Sequence, residues 1–427
     1  MSLTPSPFLQ PLLAQPVAIF GGGVSGEGVR ALLAALGATG VVYDAKGADF
    51  TVRAAAGHAL AVFSPGFAPG HPWLARARTA GVVCLTELDF AALCWKGRVI
   101  AITGTNGKTT LTEFLTHALR SIGRAAWATG NVGYSFSQLV AETAGGTKEA
   151  LAICEVSSFQ AEMLRHMEPE ATLWTNFAED HLERHPGMDS YFAAKWNLVA
   201  RTVPGGVLAG SSVVRFAKRF DRPLAADAAV ATEGQPADPR LAGTVFDEYP
   251  QRENFLLAAA WWRAAGFDAR ALVTAAKTFR LGRHRLVRVA EHEGVGYWND
   301  SKATNFHAVE AALARFPGSV ILIAGGKGKG GDLAAFIHRI APRVKHAILI
   351  GEVSAELAFH CSTFRVAHTS CATLDEAVRR AAELAVPGDQ VLLSPGFASF
   401  DQFRNYEDRG DQFERLAREL SAAANLR

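Results

Sequence analysis

Cysteine is scarce in this chain. There are five in 427 residues, Cys84, Cys94, Cys154, Cys361 and Cys371, an odd number with no C-x-x-C among them. That set suits neither a disulfide framework nor a paired-cysteine metal site, and reads as reduced, mostly buried thiols of a cytoplasmic protein. An excess of one charge is also missing. The 43 Lys and Arg residues nearly balance the 41 Asp and Glu, for a formal net charge of +2. No nucleic-acid partner and no membrane insertion are therefore expected. No apolar run is long enough to span a bilayer. The first residues, Met1-Ser-Leu-Thr-Pro-Ser-Pro, lack the basic start of a secretory leader. Internal repeats and low-complexity tracts are absent too. What remains is a globular composition, 49% hydrophobic and 20% charged, in a chain too long for one core.

The most informative stretch runs from Val99 to Thr110, Val-Ile-Ala-Ile-Thr-Gly-Thr-Asn-Gly-Lys-Thr-Thr. Its β-branched start reads as a buried strand, and Thr109 to Leu119 carries apolar residues at helical spacing. Gly104 to Thr109 is then a loop entering a helix N-terminus. Gly104 and Gly107 let backbone N–H groups converge on an anion, Lys108 adds a point charge, and the helix end adds a partial positive charge. The Thr109 hydroxyl sits where a phosphate-bound Mg²⁺ wants a ligand. Ile102 replaces the first glycine of the general P-loop spacing.

Taken in order, the residues before about Pro16 read as a loose lead-in. Val17–Phe20 is a strand, Gly21-Gly-Gly-Val-Ser-Gly26 a turn, and a helix follows to about Leu36 before a strand at Val41–Asp44. This βαβ unit with G-x-G-x-x-G and a terminal acid would suit a dinucleotide. The turn itself, however, specifies only a phosphate at a helix N-terminus. Further strands at Ala61–Phe63 and Val82–Leu85 and a helix at Glu87–Trp95 complete a Rossmann-like domain, residues 1–97. A central P-loop-type domain, 98–281, has later strands at Leu151–Glu155 and Ala171–Asn176, then a helix from about Ser190. Residues 215–240 read as irregular, and helices follow at 252–265 and 268–279. After a linker at 280–285, a hairpin and the strands from Val320, His346 and Gln390 make a C-terminal Rossmann-like domain, 282–427. The fold class is therefore α/β, in three domains.

Chemistry-bearing residues gather at the C-terminal strand ends, where open α/β sheets bind ligands. Glu155 and His181 are placed at the ends of neighbouring strands beside the phosphate loop, and that pair suits a divalent metal bridging ATP and a second substrate. Lys195 on the following helix reads equally as a solvated lysine. The third domain supplies Asp300, Lys302 and Thr304, then Lys327 and Lys329, cations and hydroxyls fit for carboxylate or phosphate. Ser399 and Asp401 read equally as helix caps.

Five stretches together resemble the Mur ligase family: Gly104-Thr-Asn-Gly-Lys-Thr109, Glu155-Val-Ser-Ser-Phe-Gln160, Asn176-Phe-Ala-Glu-Asp-His181, Asn299-Asp-Ser-Lys-Ala-Thr-Asn305, and Ser394 to Phe403 followed by Asn405-Tyr-Glu-Asp-Arg-Gly410. The last two favour its D-glutamate-adding branch. The resemblance covers nearly the whole chain. It implies a monomeric enzyme that uses ATP and Mg²⁺, at two sites, to join D-glutamate to UDP-N-acetylmuramoyl-L-alanine through an acyl phosphate. It further implies that Thr105, Asn106, Gly107, Lys108, Thr109, Thr110, Asn254, Arg285 and Asp300 hold ATP. Metal would fall to Thr109, Glu155, His181 and Lys195, with Lys195 carbamylated and His181 a ligand and orienter more than a base. Lys302, Thr304, Lys329, Ser399, Phe400 and Tyr406 would hold D-glutamate. Gly23, Val24, Ser25, Asp44 and Lys46 would hold the UDP part, and Asn131 the muramoyl part. Two departures stand out: the family's His-Asn pair ahead of Asn254 is here Pro250-Gln251, and its Leu-Pro-His-Arg linker is here Leu281-Gly-Arg-His-Arg285.

Three other readings compete. A relative of the same family could add a different amino acid or extend folate with glutamate. A nicotinamide-dependent oxidoreductase would explain the first glycine turn but leaves Lys108, Glu155, His181 and Lys195 without a role. A nucleotide-binding switch would lack amide chemistry.

Overall fold

Strand and helix alternate from Val17 onward, and the strands sort into three sheets. The structure is a computed structural model that describes residues 3–318 and 320–424. In the first sheet, β1 (Val17–Phe20), β2 (Gly40–Tyr43), β3 (Leu60–Phe63) and β4 (Val83–Thr86) lie in the order β2-β1-β3-β4, all parallel. In the second, β5 (Arg98–Thr103), β6 (Ala126–Gly130), β7 (Leu151–Glu155), β8 (Ala171–Trp174) and β9 (Val207–Ala209) lie in the order β6-β7-β5-β8-β9, again all parallel. The third contains β10 (Val287–His292), β11 (Val295–Asn299), β12 (Val320–Gly325), β13 (Val344–Ile350), β14 (His368–Ser370) and β15 (Gln390–Leu393), ordered β10-β11-β15-β12-β13-β14. Only β10 runs antiparallel there, paired with β11 as a hairpin. The continuous apolar runs follow from this arrangement, because central parallel strands are covered on both faces.

The chain forms two compact units. One comprises Met1–Phe177, Asp189–Asp247 and Gln251–Phe279, and the other Ala178–Met188, Glu248–Pro250 and Arg280–Arg427. In the first unit the two sheets share one hydrophobic core. Val17, Ile19 and Leu32 from the first lobe belong to the same cluster as Phe136, Ala152 and Cys154 from the central lobe. In the second unit, β12 and β15 send alternate residues to opposite faces. Leu322 and Leu392 enter one core, and Ile321, Ile323, Val391 and Leu393 the other, as the period of two in a strand requires. Among the described residues, no helix is long and apolar enough to cross a membrane.

Several expectations need correction. The lead-in is ordered: it carries a 3₁₀ turn at Gln10–Ala14, and Leu3 and Leu9 are buried in the shared core. Residues 215–240 are not wholly irregular, because a helix spans Ser211–Arg219 and 3₁₀ turns follow at Ala226–Ala228 and Pro239–Leu241. The strands β6, β9 and β14 had no counterpart in the sequence reading. They sit at sheet edges, where a strand needs neither length nor an apolar run. Finally, β7 and β8 are not neighbours. Each pairs with β5, on opposite sides, so Glu155 and the extension toward His181 leave strands that flank the phosphate-loop strand.

Candidate active site

The turn after β5 is built by glycines and clamped by an asparagine. Gly104 has φ +146° and Gly107 has φ +82°, a region that favours glycine. Space forbids other residues as well: a Cβ on Gly104 would stand 1.9 Å from Thr175 Oγ1, and one on Gly107 2.6 Å from Asn254 Oδ1. Asn176, two residues past β8, accepts from Asn106 N with its Oδ1 (2.9 Å) and donates to Asn106 O with its Nδ2 (3.1 Å). Its backbone carbonyl accepts from Thr105 N at 3.0 Å. The loop is thus pre-shaped at the start of the helix Lys108–Ser121, whose first turn contains Thr109 and Thr110 and carries no acidic residue. Such an end presents backbone donors to an anion.

Two lysines meet at one oxygen of this loop. Lys108 Nζ donates to Gly104 O at 2.9 Å and to Thr105 O at 2.8 Å. Lys195, on the helix Met188–Val199, donates from Nζ to the same Gly104 carbonyl at 2.8 Å. Lys195 is only 1% exposed, and its Nζ lies 4.9 Å from the centre of the Tyr191 ring. A solvated helix face is therefore excluded for it. Two ammonium groups so placed repel one another, and phosphate oxygens entering the loop would relieve that repulsion.

Glu155 ends β7 and is 2% exposed. Its Oε1 accepts from Asn131 Nδ2 at 2.9 Å, while Oε2 is buried without a hydrogen-bond partner. An orphaned carboxylate oxygen in a buried place is costly unless a cation completes it. A hard divalent ion is the natural complement, so Glu155 fits Mg²⁺, and the Thr109 hydroxyl is a ligand of the same hard-oxygen class. Asn131 is thereby engaged with Glu155. Asn254 donates from Nδ2 to Gln251 Oε1 at 2.8 Å, so the residue standing in the family's asparagine position is tied to the asparagine that packs against Gly107.

The first lobe repeats the glycine turn with a different charge. Gly23 caps the helix Val24–Ala35, and Ser25 lies in its first turn. Asp44, just past β2, accepts from Gly22 N (2.9 Å) and Lys46 N (3.2 Å), and those bonds hold its carboxyl below the usual range. Gly26 lets the helix approach the turn, since a Cβ there would lie 2.0 Å from Gly21 O.

The second unit holds the rest. His181 lies in its segment Ala178–Met188, whereas Glu155 belongs to the first unit. His181 has φ +57°, and its Nδ1 is 3.1 Å from Glu183 Oε1. A small cleft is lined by Asp180, His181, Thr304, Asn305, Lys329 and Phe397, among others. In it, Asp180 accepts from Asn305 Nδ2 at 3.0 Å and lies 3.8 Å from Lys329 Nζ. Lys302 Nζ sits 3.7 Å above the centre of the Tyr406 ring, a cation–π contact. Ser399 is buried; its carbonyl accepts from Gln402 N and Phe403 N, so it begins a turn and caps no long helix. Asp401 caps no helix of its own either, and accepts from Glu352 N at 3.0 Å. Phe400 is 68% exposed and does not line the cleft. Burial pushes the Asp300 carboxyl up to about 7 against the pull of the Ser394 hydroxyl, the Leu286 N–H, Arg285 and Arg409.

The sequence reading missed Asp180 and Arg409. Arg409 is fully buried and donates to Ser301 O (2.9 Å), Ser301 Oγ (3.0 Å) and Phe397 O (3.2 Å), tying together two of the site's stretches. A signal existed: Arg409 stands four, seven and eight residues before the core residues Phe413, Leu416 and Ala417, a charged residue on an apolar stripe.

Comparison with known proteins completes this description. Residues 102–222 match the Mur ligase middle domain, and residues 284–397 the Mur ligase, glutamate ligase domain. A protein of Gloeobacter violaceus named UDP-N-acetylmuramoylalanine--D-glutamate ligase is 34% identical, over 95% of this chain and 99% of its own. One of the same name from Mycobacterium tuberculosis is 34% identical, over 94% and 95%. Among solved structures, the MurF ligase of Thermotoga maritima in complex with ADP matches with TM-score 0.58 at 16% identity, over 85% of this chain and 95% of its own. The UDP-N-acetylmuramate-alanine ligase MurC of that organism gives 0.57 at 14%, over 96% and 100%. The chain belongs to the Mur ligase family.

Proposed function

We propose that this chain is an ATP-dependent amide ligase that joins D-glutamate to UDP-N-acetylmuramoyl-L-alanine, a step of peptidoglycan synthesis. The observation that carries the reading is the convergence of Lys108 and Lys195 on the Gly104 carbonyl at a helix N-terminus, in a chain similar over most of its length to enzymes of that name. Nothing comparable supports the oxidoreductase, whose only motif was the first-lobe turn. A phosphate loop of this charge is suited to transfer of a γ-phosphoryl group.

The division of labour follows the lobes. Residues 1–97 bind the UDP part through Gly23, Val24, Ser25, Asp44 and Lys46. Residues 98–281 bind ATP through Thr105 to Thr110 and Asn254, with Arg285 and Asp300 reaching it from residues 282–427. That last domain binds D-glutamate through Lys302, Thr304, Lys329, Ser399, Phe400 and Tyr406. Asn131 meets the muramoyl part. The alanyl carboxylate of the UDP substrate attacks the γ-phosphorus, ADP leaves, and an acyl phosphate forms. Lys108 spreads the charge of that transfer. The deprotonated amine of D-glutamate then attacks the acyl carbon, the amide forms and phosphate leaves.

Thr109, Glu155, His181 and a carbamylated Lys195 would hold two Mg²⁺ ions, which neutralise charge on the phosphates when bound. The orphaned Oε2 of Glu155 supports this. A carbamate on Lys195 would replace one of two repelling ammonium groups by an anion. The enzyme acts as a monomer in the cytoplasm. Phosphate release from ATP with UDP-N-acetylmuramoyl-L-alanine, across a panel of D- and L-amino acids, tests the reading. Release confined to D-glutamate is expected. Release with another amino acid reassigns the chain within the family, and no release with any of them refutes the ligase.

A further inference from the structure

Two acidic side chains outside both glycine turns bind the first lobe to the central one. The helix Glu87–Ala92 follows β4 directly and is capped by Thr86, whose Oγ1 accepts from Asp89 N at 3.0 Å. Both of its acids are buried, Glu87 at 2% and Asp89 at 0% exposure. Among the described residues, neither is paired with a cation. Glu87 Oε1 accepts from Ser137 N at 2.6 Å, in the first turn of the central-lobe helix Phe136–Glu142. Asp89 Oδ1 accepts from three successive backbone groups, Arg165 N (3.1 Å), His166 N (2.8 Å) and Met167 N (2.9 Å). A ring of three amides around one oxygen is an anion nest, here filled by a side chain.

Each clamp lands on a segment that leads to the reaction site. Helix Phe136–Glu142 continues from the turn holding Asn131, and Asn131 fixes Glu155 through Nδ2 to Oε1 and through its N–H to the Glu155 carbonyl, both at 2.9 Å. The turn Arg165–Met167 closes the segment that begins at Glu155. It is also tied to the Lys195 helix, because Asn197 Nδ2 donates to Ala161 O (2.7 Å) and Leu164 O (3.0 Å). A third contact fixes the approach of the lobes. A Cβ on Gly28, in the helix that leaves the first-lobe glycine turn, would lie 1.9 Å from Ser135 Oγ, the cap of helix Phe136–Glu142. The two lobes therefore touch at a helix cap, with no side chain between.

We infer that Glu87 and Asp89 are positioning residues that set the span between the nucleotide-sugar turn of the first lobe and the Glu155 edge of the central lobe. The inference rests on the functional reading above. A substrate held at one end by its UDP and reacting at the other needs that span constant, since a misplacement of about 1 Å costs on the order of a hundredfold in rate. The residues touch no substrate and act through Ser137 and the turn at Arg165–Met167.

The test separates span from stability. In Asp89→Asn and Glu87→Ala, binding of UDP alone should stay within about twofold of the parent, because UDP occupies the first lobe only. The KM for UDP-N-acetylmuramoyl-L-alanine should rise at least tenfold, with kcat lowered and the KM for D-glutamate unchanged. Glu87→Gln keeps a carbonyl oxygen for its one backbone partner, Ser137 N–H, and should restore the parent KM, whereas Asp89→Asn puts an NH₂ where Oδ2 accepts from Arg165 N (3.0 Å) and removes the charge that three amides share. Amide exchange at Arg165–Met167 should accelerate in Asp89→Asn, and this readout needs no turnover. Folded Asp89→Asn or Glu87→Ala with the parent KM overturns the inference. So does loss of UDP binding in parallel with the full substrate, which marks general damage. If Asp89→Asn does not fold, the Glu87→Ala and Glu87→Gln pair decides. A parent that releases no phosphate at all defeats the functional reading instead, while amide exchange still reports on the clamps.

Discussion

The molecule carries two glycine-rich turns at helix N-termini, and they differ in what surrounds them. At Gly21–Gly26 the carboxylate of Asp44 has taken the Gly22 amide for itself. At Gly104–Thr109 two lysines share a carbonyl, and a buried carboxylate oxygen on the adjacent strand lacks a partner. Both are glycine turns ahead of a helix, but the capping Gly23 is extended where Gly107 is left-handed, and the charges differ as well. The first suits a ligand whose hydroxyl groups can donate to a carboxylate, and the second a ligand whose charge moves during reaction. A glycine pattern alone therefore names a phosphate and says nothing about chemistry.

The largest effect should come from the second turn. Lys108→Ala should lower kcat about 10³-fold or more while the fold persists, because its charge counts most as the γ-phosphoryl group transfers. Phosphate release under saturating substrates measures this. Near-parent kcat would make the two turns equivalent, and the comparison would collapse.

Lys195 should follow closely. Lys195→Ala should lose about 10²-fold or more in kcat, and short carboxylic acids should restore part of it by entering the vacated space. Lys195→Arg should resist rescue, since it keeps a cation at the Gly104 carbonyl and fills the space. Full activity in Lys195→Arg would show the lysine to be a charge alone.

Much of this was legible in the residues. Buried parallel strands read as continuous apolar runs, and Gly104, Gly107, Lys108 and Thr109 each had a physical reason for their place. Asn176, Asp180 and Asn305 stood inside quoted stretches, yet their hydrogen bonds join segments far apart in sequence, and no local spacing encodes that. Glu87 and Asp89 were invisible for a related reason. An acid at the start of a helix reads as complement to the helix dipole, and only the fold reveals that both are buried against another lobe's backbone. Edge strands escaped because β9 and β14 are three residues each. The order of β7, β5 and β8 was beyond reach, since strand order depends on crossovers and not on composition.

The boundary between the two turns has its own signature in pH. Burial pushes the Glu87 carboxyl up to about 7. Between its ordinary value and that one, the folded protein keeps a proton that the unfolded chain has lost, so stability falls as pH rises and is level above about 7. The fall belonging to Glu87 is about 3 kcal/mol at most. Asp300, also held at about 7 by burial, adds a fall of the same sign in the second unit. Thermal melts from pH 5 to 8 should show a shallower decline in Glu87→Gln than in the parent. Parallel curves would mean that Glu87 titrates as an ordinary surface acid, and the burial argument would be wrong.

The smallest effect belongs to the first turn. Asp44 is half-buried, and its two backbone partners, Gly22 N and Lys46 N, favour its ionised form. An ionised carboxylate beside a phosphate turn repels the phosphate and attracts hydroxyl donors, so its place here makes sense only if a sugar or base is read together with the phosphates. Asp44→Asn keeps one acceptor and the shape but removes the charge. It should raise the KM for the UDP substrate roughly tenfold, the loss expected for one charge-assisted hydrogen bond at a wet site, and leave the KM for ATP unchanged. Titration with UDP against NADH gives the sharper form. UDP should bind and weaken in Asp44→Asn, and NADH should not compete. Strong NADH binding abolished by the same substitution would turn the first lobe back into a dinucleotide site. A rise in the KM for ATP would show that the two turns do not bind separate ligands.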